Sequence, residues 1–152
     1  MDAVFQYQIP ELHPLTVHFP VALLVAAAFA GAVWLCRGSA FWRGVTWLLT
    51  GLGTVGAFFA YFTGDGMEEQ AEGVPIVEEL VGLHEQMALY TLIGACLATL
   101  LVTAQAWWSR RFGLRADPLP SRLLIAAVLI ALGVLVAWTA HIGSTMVWGV
   151  AR

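Results

Sequence analysis

Residues 121–142 read SRLLIAAVLIALGVLVAWTAHI. Beyond Arg122 no charged side chain interrupts the run. A bilayer core about 30 Å thick needs roughly 20 apolar residues in helix. The stretch is therefore expected to cross a membrane as one helix. Three stretches upstream share its character: 15–36 (LTVHFPVALLVAAAFAGAVWLC), 42–63 and 81–108. None has Lys, Asp or Glu in its middle. Membrane barrel strands would alternate in polarity over about 10 residues, and these runs do not. The expected fold is all-α: one domain, 1–152, forming an integral membrane antiparallel four-helix bundle.

Composition leads the same way. The chain has 152 residues, 60% hydrophobic and 11% charged, with mean hydropathy +0.80. Soluble domains are about 45–50% apolar and about 25% charged, so water is the wrong solvent for this surface. Net charge is −3, and no basic patch for nucleic acid is present. Cys36 and Cys96 lie too far apart along the membrane normal to bridge, and each reads as a small buried hydrophobe. The first residues, MDAVFQYQIPELHPL, lack a basic n-region, so the first apolar run is expected to be an uncleaved helix.

The loops differ in charge. The first holds Arg37 and Arg43; the third holds Arg110, Arg111, Arg115 and Arg122 against Asp117 alone. The second, with its edges, holds Asp65, Glu68, Glu69, Glu72, Glu78, Glu79 and Glu85 and no arginine. Arginine bias sets orientation. Loops one and three are expected in the cytoplasm, with both termini and the acidic loop outside, which is the periplasm if the cell is Gram-negative. Trp34, Trp42, Trp47, Trp107 and Trp108 read as the cytoplasmic aromatic belt; Phe5, Tyr7, Tyr61, Phe62 and Trp148 read as the outer one. Small residues in the second span, Gly51, Gly53, Gly56 and Ala60, permit close helix packing or leave room for a flat cofactor. The first reading is preferred.

All four histidines fall at the outer ends of spans. His13 and His18 begin the first, His84 begins the third, and His141 ends the fourth. At 1.5 Å per residue, His18 lies about 24 Å above Trp34 and His141 about 28 Å above Arg122. His13 (about 32 Å above Trp34) and His84 (about 35 Å above Trp107) lie nearer the surface. Five residues of helix turn the His13 and His18 rings about 140° apart, so the two do not share one metal. Ionisable residues in the membrane zone are functional candidates. His18, followed by a wholly apolar run, is the first choice as ligand, with His84 and His141 competing for the second place and His13 last.

Facing imidazoles in a helix bundle fit a b-type haem; no CxxCH occurs, so covalent c-type attachment is excluded. Copper is the second reading, because Met67, Met87 and Met146 also fall near this end and mixed imidazole and thioether ligands suit copper. In a copper site, Met87 and Met146 would join His18, His84 and His141. A structural accessory subunit without cofactor is the third. A hydrolase is disfavoured: Asp2, Asp65 and Asp117 lie in the tail and loops, and only Glu85 stands near the histidines, as a quinol-side proton acceptor or a first-turn residue favoured by the helix dipole.

HPLTVHFPVALL at 13–24, His84 at the head of the third span, and AHIGSTMVWGVAR at 140–152 resemble the membrane family called domain of unknown function 2231. The chain departs from the family pattern at Ser144 and Thr145, where small residues are usual, and at Trp148, near a tyrosine. The resemblance implies a four-helix bacterial membrane protein found beside Rieske iron–sulfur domains, and hence a redox role. The histidines carried over are His13, His18, His84 and His141. The expected function is electron transfer through haem b, with quinone on one side and a Rieske or cytochrome c protein on the other, alone or within a larger complex. An electron carrier fits this reading better than a stand-alone enzyme.

Overall fold

The computed structural model describes residues 12–64, 75–113 and 117–148. The sequence readings at Asp2, Phe5, Tyr7, Asp65, Met67, Glu68, Glu69, Glu72, Arg115 and Arg152 lie outside the described residues. Helices are α1 (His13–Thr16), α2 (His18–Arg37), α3 (Ala40–Phe62), α4 (Pro75–Phe112) and α5 (Leu119–Trp148). α1 and α2 form one span, His13–Arg37. The four spans are long and apolar enough to cross a bilayer, and the chain is an all-α four-helix membrane bundle. The third and fourth helices run beyond the apolar stretches at both ends.

Short-range chemistry sets the turns. Gly38 ends α2 in the left-handed region (φ 61°), and its N–H reaches the Trp34 carbonyl at 2.7 Å. A residue without Cβ adopts that conformation without strain. Ser39 caps α3 by accepting from the Trp42 N–H at 3.3 Å, which satisfies one orphan donor of the first turn. Arg122 then reaches across from α5 to the Leu35 carbonyl at 3.2 Å, closing the frayed end of α2.

α2 packs against α3 and α5, and α4 packs against the same two. The first and third spans therefore stand diagonally across the bundle. The seams are built of small residues: Ala27, Ala30 and Gly31 on the first span, Gly53, Ala57 and Ala60 on the second, Ala95 and Ala98 on the third. A Cβ at Gly53 would lie 2.6 Å from Leu24 Cδ2, and one at Gly31 2.6 Å from Leu129 Cδ1. Leu24 and Leu129 are fully buried, so these glycines are the sockets for the two largest seam leucines. Bulky residues such as Phe29, Phe58, Leu100 and Val134 face outward. Small-in, large-out is the packing expected where lipid is as apolar as the core. Gly53 and Gly56 seat Leu24 and Pro20, in line with the helix-packing reading, whereas Gly51 faces open space.

Two expectations need correcting. Cys36 and Cys96 are unpaired but exposed rather than buried; both sit outside the small-residue seams. Trp34 is not a belt residue. It is fully buried, and its Nε1–H donates to Asp117 Oδ2 at 3.2 Å. Asp117 also pairs with Arg43 at 3.0 Å and accepts from Gln105 Nε2 at 3.2 Å. Arg43 and Asp117 are each 8% exposed. One carboxylate thus ties the loop before α5 to the first, second and third spans, at the end opposite the histidines.

Candidate functional site

Helical phase decides which histidines meet. Seven residues turn a helix through 700°, within about 20° of two full turns. Positions 13, 20, 27 and 34 therefore share one face, and Pro20, Ala27 and Trp34 on it are buried. Positions 84, 91, 98 and 105 share another, on which Thr91 and Ala98 are buried. His13 and His84 continue these two seams beyond their last apolar members. Because the first and third spans are diagonal, the two rings meet across the bundle axis. Their centroids lie 6.3 Å apart with planes at 88°. Both are half-buried.

Each ring is fixed through Nδ1. His13 Nδ1 lies 2.8 Å from the Ala60 carbonyl oxygen and 3.3 Å from Thr63 Oγ1. His84 Nδ1 lies 3.1 Å from the Thr139 carbonyl oxygen. A carbonyl only accepts, so both Nδ1 atoms carry the proton and donate it. In the neutral ring, Nε2 then holds the free lone pair. The two anchors are alike in kind: a histidine opening an odd-numbered span bonds a carbonyl near the end of the next one. Threonine pairs brace both. Thr16 and Thr63 hydroxyls are 3.0 Å apart, as are those of Thr91 and Thr139. Ala60 belongs to the last turn of α3, where carbonyls lack helical partners, so His13 also caps that helix.

Glycines flank the rings. A Cβ at Gly143 would stand 2.9 Å from His84 Cε1, and one at Gly64 3.5 Å from His13 Cε1. Only a residue without a side chain lets α5 approach the His84 ring this closely. Gly143→Ala is expected to push the imidazole off the Thr139 carbonyl, a strain of about 1–3 kcal/mol by analogy with overpacked cores. In the reading given below, purified protein would then keep less cofactor per chain than the parent. An unchanged ratio would contradict the tight seat.

The pair that the structure brings together is His13 with His84, not His18 with His84 or His141. His18, the first choice, is exposed, about 140° around the helix from His13. His141 is also exposed; it packs against Trp138, ring centroids 5.9 Å apart. His13, ranked last, faces His84. Glu85 is exposed beside the pair. Met87 and Met146 are half-buried. Among the described residues no group of three or more His, Cys, Asp or Glu could hold a metal ion. Two facing imidazoles are what the described residues bring together. Thr63, Thr139, Gly64 and Gly143 were not foreseen. The heptad running back from Trp34 through Ala27 and Pro20 was the signal that could have found His13.

Fold and site together define a four-helix membrane protein with a histidine pair closing one end. The family described as "Predicted membrane protein (DUF2231)" matches residues 9–151, and the chain belongs to that family. No curated protein and no solved structure matches the chain.

Proposed function

We propose that the protein is a membrane electron-transfer protein that holds a b-type haem between His13 and His84. One observation carries this: two opposed imidazoles on diagonal helices, each with Nδ1–H tied to a backbone carbonyl. That tether is the usual outer-shell partner of a metal-bound histidine; it fixes the tautomer and raises the basicity of Nε2. The spacing fits as well. The two ring centroids lie 6.3 Å apart, near enough for one bound group to be held by both.

His13 and His84 would hold the haem iron. Ala60 and Thr139 hold the rings in register through their carbonyls, and Thr63 adds a hydroxyl beside His13. Gly64 and Gly143 keep side chains off the ring edges. The haem, when bound, supplies one-electron chemistry at a potential set by its axial ligands and their surroundings. Arginine bias supports an orientation with the histidine end at the periplasmic face of a bacterial inner membrane and both termini on that side. Quinol is the donor that fits such a site, and a Rieske or cytochrome c protein the acceptor, in keeping with the redox setting the family resemblance implies.

The test is an absorption spectrum of protein made with ample haem, oxidised and dithionite-reduced. A b-type α-band at one haem per chain is expected. Haem-free protein would overturn the reading, and one equivalent of copper in that sample would replace haem with copper. Labelling of cysteines placed in the acidic loop tests orientation: reaction from the cytoplasm alone would invert it.

A further inference from the structure

At the arginine end, away from the histidines, a groove of about 270 Å³ runs between α4 and α5. That is just under the roughly 300–1,000 Å³ of small-molecule pockets. Its walls are Leu101, Ala104, Trp108, Leu124 and Ile125, with the polar Gln105 and Ser121 among them. Leu101, Ala104, Trp108 and Leu124 are exposed, so the groove opens sideways into the bilayer. At its upper edge the Trp108 ring packs on Phe112, centroids 4.5 Å apart, and the Arg111 guanidinium lies 5.7 Å over the Phe112 ring. Arg111 follows Ala104 by seven residues and Trp108 by three, which puts it on the groove's own face. Arg110 is exposed beside it.

We infer that this groove binds one anionic phospholipid, an acyl chain lying along the apolar walls and the phosphate meeting Arg111 and Arg110, with Ser121 within the same mouth. The order along the bilayer normal is that of a lipid: hydrocarbon wall first, then an aromatic shelf at the interface, then guanidinium. A planar guanidinium pairs with phosphate through two parallel N–H bonds. Exposed arginines on this edge disfavour a second copy of the chain laid parallel in the groove. A quinone seated here would stand about 30 Å along α4 from His84, remote from the pair proposed to take its electrons. The exclusion of quinone rests on the haem reading; the lipid assignment itself uses neither histidine.

The test is native mass spectrometry of the full chain in detergent, offered phosphatidylglycerol, phosphatidylcholine of the same chains, and ubiquinone. One phosphatidylglycerol is expected to be retained in preference to phosphatidylcholine. Arg111→Gln should lower that preference roughly fivefold, the weight of one basic residue at a lipid surface. Ala104→Phe, which fills the groove from its exposed side, should remove retention of both lipids. Circular dichroism confirms that both variants keep their helices. Equal retention of the two lipids, a preference untouched by Arg111→Gln, retention surviving Ala104→Phe, or capture of ubiquinone or a second chain instead would each overturn the assignment.

Discussion

If the protein holds haem as proposed, alanine at His13, or at His84, is expected to abolish the b-type band, while alanine at His18 or His141 leaves it in place. The difference follows from helical phase. His13 and His84 lie on the two seams that converge on the bundle axis, and their rings are 6.3 Å apart. His18 and His141 are exposed. With one imidazole lost, the other alone would not hold a haem between the first and third spans. His13→Ala carries a second consequence, because the ring also caps the end of α3 at the Ala60 carbonyl. Losing a cap typically removes about 1 kcal/mol, so His13→Asn or His13→Gln, which can still donate to that carbonyl, separates the two roles. Either should restore the thermal midpoint without restoring the band. A band lost on His18→Ala and kept on His13→Ala would sink the assignment.

Asp117→Ala is expected to cause the largest loss of stability of any single change outside the seams. It leaves the Arg43 guanidinium and the Trp34 indole N–H without their carboxylate in a place that is nearly closed to water. Removing one partner of a buried ion pair usually costs about 3–5 kcal/mol. Thermal unfolding in detergent, followed by helicity, measures it. Arg43→Leu added to Asp117→Ala should recover much of the loss, since an apolar replacement of both partners avoids the stranded charge. The network lies about 30 Å along α4 from His84, so the folded fraction should keep the spectrum of the parent. A variant as stable as the parent would show that water reaches Arg43 freely.

The four spans, their approximate ends and the gathering of histidines at one end could be read without coordinates. Hydropathy is a property of composition along the chain, and a membrane helix must satisfy its backbone within itself, so a long apolar run has few other structures open to it. The contrast between an arginine-rich end and an acidic loop is likewise one-dimensional.

Which histidines face inward could not be read that way, because it depends on rotation about the helix axis. In a soluble bundle the apolar stripe marks the core. Here the lipid-facing side is as apolar as the interior, and the inward faces of Ala27, Gly31, Gly53, Ala95 and Ala98 are distinguished by small size instead. Against that stripe His13 is in phase and His18 is not. Asp117 shows the same limit: a lone acid in a basic loop looks solvated until three other helices bring Arg43, Trp34 and Gln105 to it. The chain alone determined that four helices cross a membrane with imidazoles at one end. Only their packing selected His13 and His84, because the bundle places the first and third spans on a diagonal and so turns two separate seams toward one point.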